Sequence, residues 1–293
     1  MSERLSTIGK ALAWARSMLR AVTDWPQLEA ERILAEICEL PRASLIAHPE
    51  RSLAPEERQI FTDHVLRRAS GVPLPYILGH IEFFGLDLYV APEVLIPRPE
   101  TETLVEMALA WARQRGSQTV LDVGTGSGCI AIALAVTLPH LSLLATDLSI
   151  DALRVAHRNA RRHSVRDRIH LIRTDLLQAL RGPIDLIVSN PPYVADTEWH
   201  HLPPSVRQEP TLALRAGPEG LDVIRRLLIQ ARTRLAPGGC LLVEIGEHQG
   251  PAVIRLAREI FGPHGPVHIS VHQDLAGRDR VLQVQIIDVA GTG

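Results

Sequence analysis

The stretch "LDVGTGSG", Leu121 to Gly128, limits the possible folds more than any other part of this chain. An apolar run of strand length enters it, and an apolar helical run, "CIAIALAVTL", leaves it. Gly124, Gly126 and Gly128 stand between the two. Glycines at a strand-to-helix turn let the backbone bend sharply and let a ligand approach it closely. The same alternation continues on both sides. A helix over Glu100–Arg113 leads to strand "TVLDVG". Strand "LSLLATD", helix "IDALRVAHRNARRH", strand "RIHLIRTD" and strand "IDLIVSN" come after the turn. Helix "GLDVIRRLLIQARTRL", strand "GCLLVEIG" and helix "PAVIRLAREIFG" follow, then two late strands near 267–272 and 280–287. Apolar strands alternating with helices predict an α/β fold with a mostly parallel sheet covered on both faces. The two late strands, joined by a short loop, predict an antiparallel hairpin at its edge.

The residues before position 100 have a different texture. "LSTIGKALAWARSML" and "WPQLEAERILAEICEL" carry apolar residues at helical spacing. Pro26 suits a first helical turn, and Pro41 reads as a stop after the second helix. "APEERQIFTDHVLRRASG" predicts a third helix, with acids early, arginines late and Gly71 beyond its end. Proline, glycine and aromatics then crowd the sequence, and "IEFFG" and "LDLYV" read as a short hairpin. The resulting domain organisation is a helical domain over 1–72, a linker with a β-hairpin over 73–98, and an α/β domain over 99–293.

Asp147 ends the strand after the glycine turn, where an acid hydrogen-bonds ribose hydroxyls in nucleotide-binding sheets. The glycine spacing G-x-G-x-G is not the dinucleotide pattern. Asp122, just before the first glycine, is expected to aim a carboxylate into the crevice. There it would repel a phosphate and receive the ammonium of a methionine moiety. Together these point to S-adenosyl-L-methionine and away from a nicotinamide dinucleotide. Asp175 is a second strand-end acid, placed to take an adenine amino group with Leu176 against the ring face. The sequence "SNPPY" ends the fourth strand. The side-chain carbonyl of Asn190 and the backbone carbonyl of Pro191 make a two-acceptor clamp for an –NH₂ group. Pro192 stiffens the corner, and Tyr193 offers a flat face to a planar group. A conjugated amino nitrogen has a delocalised lone pair. Acceptors on its two hydrogens hold that lone pair towards a methyl donor and stabilise charge developing on nitrogen.

Composition narrows the class. The net charge of −2 exerts no global pull on nucleic acid. Three scattered cysteines, Cys38, Cys129 and Cys240, fit a reduced compartment and not a disulfide framework. The histidines lack ligand spacing, so no metal site is expected. The first twenty residues lack an apolar signal core, and no run is long enough for a membrane span. The expected setting is the cytoplasm.

"VLDVGTGSG", "ATDLS" and "SNPPY" resemble the Rossmann-like class I methyltransferases that modify planar amino nitrogens. "PYILGHIEFFGLDLYVAPEVLIPRPETE" further resembles the protein-(glutamine-N5) methyltransferases of peptide chain release factors, the PrmC/HemK family. That resemblance covers about Leu5 to Val284. It implies methyl transfer from S-adenosyl-L-methionine to the glutamine of a Gly-Gly-Gln loop in peptide chain release factors. It places the cofactor loop on Gly124, Thr125, Gly126, Ser127 and Gly128, and the ribose acid on Asp147. The catalytic and substrate motif falls on Asn190, Pro191, Pro192 and Tyr193, with Asn190 also beside the cofactor. Leu176 stands where relatives often carry an aromatic, which implies an apolar contact to adenine. Arg98 and Glu100, in "RPETE", either face the cofactor's methionine end or only start a helix. A glutamine side chain is too small to identify a partner, so specificity is expected from the helical domain. The alternative reading is a nucleic-acid adenine-N6 or guanine-N2 methyltransferase, which shares the NPPY motif but should carry a basic recognition region. A non-catalytic cofactor-binding scaffold would have no need of the two-acceptor clamp.

Overall fold

The computed structural model describes residues 5–115 and 119–288. The outer ends of the domains assigned above, 1–4 and 289–293, lie outside the described residues. The chain forms two compact units. One ends at His80 and takes in Pro203–Gln208; the other runs Ile81–Leu202 and resumes at Glu209.

The first unit is helical, with α1 (Ile8–Leu19), α2 (Pro26–Cys38), α3 (Arg42–Ala47), α4 (Pro55–Ala69) and α5 (Leu74–Leu78). Pro26 and Pro55 open α2 and α4, where a missing N–H costs nothing. Glu57 closes the first turn of α4 by accepting the Ala54 N–H at 2.7 Å. Glu39 ends α2 in the left-handed region (φ 51°), and the Leu40 N–H returns to the Ala35 carbonyl at 3.0 Å. Ile8, Leu19, Ile33, Leu34, Leu45 and Phe61 fill the core between the helices. α2 ends at Cys38, before Pro41, as read from the sequence. Two short helices add to that reading: α3 begins directly after Pro41, and α5 lies within the stretch read as linker, with Pro73 and Pro75 at its start. Proline's fixed φ is compatible with a first turn, so its presence alone could not distinguish a stop from a start.

The hairpin is present as β1 (His80–Phe83) and β2 (Leu86–Tyr89). Phe84 and Gly85 between them both have positive φ (52° and 71°), the twist a two-residue hairpin turn requires.

The second unit continues with α6 (Thr101–Arg113), β3 (Val120–Val123), α7 (Cys129–Thr137), β4 (Leu143–Asp147) and α8 (Ile150–Arg162). Then come β5 (Ile169–Arg173), β6 (Ile184–Ser189), α9 (Asp222–Arg232), β7 (Leu235–Glu244), α10 (Gly250–Phe261), β8 (Val267–Gln273) and β9 (Asp279–Ile286). The strand order is β5-β4-β3-β6-β7-β9-β8. The first five strands run parallel, while β9 lies antiparallel to β7 and to β8, as the late hairpin predicted. From β3 the chain winds outward through β4 and β5, then returns to β6 on the other side. That reversal opens a crevice above the carboxyl end of β3.

The pleat assigns each strand residue to a face. Val120, Leu186, Val188, Cys240 and Leu242 join the core beneath α6, α7 and α8. Leu121, Val123, Ile187, Leu241 and Val243 join the opposite core, beneath α9 and α10. Continuing this two-residue period puts Asp122, Asn190 and Glu244 on the α6–α7 side. Ser189 pairs with Val243, so Asn190 and Glu244 follow at the same level on neighbouring strands.

Candidate active site

β3 ends at Val123, and the next turns of chain need backbone angles that glycine alone adopts freely. Gly124, Gly126 and Gly128 have φ of 72°, 56° and 84°. They do two different jobs. A Cβ on Gly128 would lie 3.2 Å from the Ala156 Cβ, so this glycine lets α7 begin hard against α8. A Cβ on Gly124 or Gly126 would meet no protein atom within 4 Å; both glycines line a cavity. Thr146 holds the loop by accepting the Gly124 and Thr125 N–H groups on its carbonyl, at 2.8 and 2.9 Å.

Asp122 departs from its expected direction. It is fully buried and is not a wall of the cavity. Its Oδ2 accepts the Thr125 hydroxyl at 2.6 Å and the Ala131 N–H at 3.2 Å, so it ties the loop to α7 from beneath. Its Oδ1 has no hydrogen-bond partner among the described residues. Burial pushes the carboxyl up to about 7, against the pull of Thr125 and Ala131.

Asp147 does line the cavity. Oδ2 accepts the Gly126 N–H at 2.9 Å and Oδ1 the Ser149 N–H at 2.8 Å. Burial raises its pKa, and these backbone bonds oppose the rise. A carboxylate has about four acceptor positions, so each oxygen retains capacity for one more donor. The cavity, about 1190 Å³ with its opening to solvent, is also lined by Thr125, Ser127, Asp175, Leu176, Asn190 and Pro192. Val94, Leu95, Pro97, Leu212 and Arg215 line it as well. Asp175 is paired with Arg226, another cavity residue. Leu176 sits at φ 52°, an uncommon conformation for a leucine. An open glycine cradle, an acid with spare acceptors and apolar walls fit an adenosine carrying a methionine chain.

The NPPY corner divides. Asn190 and Pro192 face the cavity, whereas Pro191 is buried and Tyr193 is not a wall. The Tyr193 hydroxyl instead donates to Glu244 Oε1 at 3.3 Å. The Asn190 Nδ2 donates to Thr101 Oγ1 at 3.1 Å, which leaves Oδ1 as the end of the amide free for a ligand. Of the "RPETE" residues, Thr101 reaches the cavity. Arg98 is ion-paired with the buried Glu209, whose other oxygen accepts the Ile96 N–H at 2.9 Å. Glu100 is the N-cap residue of α6, and Glu102 accepts the Phe84 N–H at 2.8 Å.

Thr101, Glu209 and Glu244 escaped the sequence reading. Glu244 left a signal, an acid inside the apolar run "CLLVEIG". Glu209 left none, since it stands in a polar loop. Among the described residues there is no cluster suited to a metal ion and no helix long and apolar enough to cross a membrane.

Two family models match this chain. The family model of the PrmC N-terminal domain matches residues 10–79, and that of the methyltransferase small domain matches 101–202. The release factor glutamine methyltransferase of Moorella thermoacetica is 45% identical over 94% of this chain and 96% of its own length. The one from Nitratidesulfovibrio vulgaris is 41% identical over 94% of each. A methyltransferase structure from Pyrococcus furiosus shares the fold, with a TM-score of 0.51 at 19% identity over 76% of this chain and 96% of that one.

Proposed function

This chain belongs to the release factor glutamine methyltransferase family, and from that premise we propose how its residues divide the work. The reaction is methylation of the side-chain amide nitrogen, N5, of the glutamine in the Gly-Gly-Gln motif of peptide chain release factors. When bound, S-adenosyl-L-methionine supplies an electrophilic methyl group on a sulfonium sulfur. Gly124 to Gly128 cradle it, Asp147 takes the ribose hydroxyls, and Leu176 and Asp175 border the adenine.

Asn190 Oδ1 and the Pro191 carbonyl accept the two hydrogens of the glutamine amide. That holds the nitrogen lone pair towards the methyl carbon and stabilises the positive charge that grows on nitrogen. As the N–C bond forms, the sulfur–methyl bond would break and its electron pair leave on the thioether of S-adenosylhomocysteine. No strong base is needed, because the N-methylated amide then sheds its extra proton to water. Pro192 and Tyr193 set the corner's shape. The observation that best supports this reading is the Asn190 amide, whose donor end is bonded to Thr101 while the residue lines the cavity.

Residues 1–72 read the release factor, 73–98 connect, and 99–293 carry the chemistry. The setting is the cytoplasm, where release factors act. The test is transfer of labelled methyl to purified release factor, tRNA and DNA in parallel, with label expected on release factor only. Asn190→Ala should lower kcat by a factor on the order of 10²–10³, as for loss of one preorganised partner. Near wild-type turnover would remove the clamp.

A further inference from the structure

Two prolines in a row leave a stretch of backbone with no donor to hold it by. Neither Pro191 nor Pro192 has an N–H, and the Pro191 carbonyl has to stay open to accept the substrate's –NH₂. The corner therefore has to be fastened at its two ends. On the entering side β6 does this. Ser189 pairs with Val123 and Val243 on the flanking strands, and its hydroxyl donates to the Val123 carbonyl at 2.7 Å. On the leaving side the chain has passed out of the sheet.

Gln249 meets it there. This residue is the N-cap of α10, on the connection from β7. Its Nε2 donates to the Tyr193 carbonyl at 3.0 Å and to the Gly220 carbonyl at 3.2 Å, and its Oε1 accepts the Gly246 N–H at 2.9 Å. All three partners are backbone groups, whose roles as donor or acceptor do not change. The amide is therefore satisfied one way round only. Gly220 is fitted to the same contact. A Cβ there would collide with the Tyr193 carbonyl oxygen and lie 3.0 Å from Gln249 Nε2. The next residue is tied as well. The Val194 N–H donates to the Leu214 carbonyl, and the Val194 carbonyl accepts the Ala216 N–H, both at 2.9 Å. Neither Gln249 nor Gly220 is a wall of the cavity. They touch the backbone of the corner, not the space that cofactor and amide would fill.

We propose that Gln249 is a positioning residue for methyl transfer. By holding the Tyr193 carbonyl it sets where the Pro191 carbonyl points, so that the second acceptor of the clamp meets the glutamine amide. The inference rests on the two-acceptor reading of Asn190 and Pro191. The prolines transmit the constraint. The ring of Pro192 fixes its φ at about −65°, and a residue before a proline is confined to extended backbone. Fewer free torsions thus separate the two carbonyls than in an ordinary chain. Small shifts matter here, since a misplacement of about 1 Å can cost on the order of 10²-fold in rate.

The test measures kcat at saturating labelled S-adenosyl-L-methionine with intact unmethylated release factor, KM for that release factor, and calorimetric affinity for the cofactor. Gln249→Glu keeps the outline of the side chain and its acceptor for Gly246, but turns an oxygen towards two carbonyls. Its kcat should fall roughly tenfold or more, while KM and cofactor affinity stay within about twofold. Gln249→Met, of similar length with neither end of the amide, should also lower kcat roughly tenfold, and it decides alone if Gln249→Glu does not fold. Wild-type kcat in the folded variant would overturn the proposal, even with a lowered melting temperature, because that pattern belongs to a purely structural contact. A loss of cofactor affinity matching the loss of kcat would overturn it too, since the fault would then lie in the cradle. Asn190→Ala separates the two readings. If it loses turnover while the Gln249 variants keep theirs, the clamp stands and the positioning role falls; if it retains turnover, both fall.

Discussion

Each oxygen of Asp147 already holds one backbone N–H, so this acid is both a fastening of the glycine loop and an open acceptor. Asp147→Ala should therefore lose one or two charge-assisted bonds to ribose, each worth about 1.5–3 kcal/mol. Calorimetry should show a loss of S-adenosyl-L-methionine affinity of tenfold or more, on the order of 1.4 kcal/mol. Unchanged affinity would take Asp147 out of the site. Asp122 behaves differently, because it never meets the cavity. Its carboxyl binds a proton more tightly in the folded chain (about 7) than at its ordinary value of 3.8. Its contribution to stability is therefore complete at acid pH and is lost as pH rises through 7, with a slope of at most about 1.4 kcal/mol per pH unit. Glu244 titrates with the same sign, so the measurement is a difference. The stability of wild type relative to Asp122→Asn, from urea unfolding, should decline between pH 5 and pH 7 (roughly the window between the two pKa values). A constant difference would mean that Asp122 stays ionised. The glycines, Asp147 and Asn190 were legible in the sequence because their signals are local, a turn or a strand end. The direction of Asp122 was not, since it depends on where the strand stops and on what α7 lays over it.

At the scale of elements, the cofactor loop is secured by a neighbour outside its own motif. Asn159, fully buried on α8, accepts the Tyr89 N–H at 2.8 Å and donates to the carbonyls of Tyr89 and Ser127, both at 2.9 Å. One amide thus joins α8, the hairpin strand β2 and the glycine loop. Asn159→Ala strands three backbone groups and should cost about 2–4 kcal/mol of stability, with weaker cofactor binding because Ser127 is released. A lower melting temperature with unaltered cofactor affinity would confine Asn159 to a structural part. This junction could not be read from the sequence, because an asparagine in a helix carries no mark of what lies above it. The same holds for Thr101, whose side-chain partner, Asn190, comes from just beyond β6. Strand and helix periods were readable along the sheet, and α3 and α5, of 6 and 5 residues, are too short to show one.

For the whole molecule, the question is how one glutamine is chosen. The net charge of −2 supplies little long-range steering, and the clamp makes the same contacts with any primary amide. If residues 1–72 supply the selectivity, a chain of residues 81–293 should still bind S-adenosyl-L-methionine. Its kcat/KM on intact release factor should be at least roughly tenfold lower, about 1.4 kcal/mol. A short Gly-Gly-Gln peptide should be a poor substrate for both chains. Equal kcat/KM on intact release factor would deny the helical domain a recognition role. The return of Pro203–Gln208 to the first unit bears on how this protein can be taken apart or recombined. Neither unit is one uninterrupted length of gene. A fusion that moved residues 1–80 to another enzyme would leave behind the short stretch that completes them, and would strand that stretch in the donor. A swap between relatives that carries the whole of the first unit must therefore exchange both pieces at once.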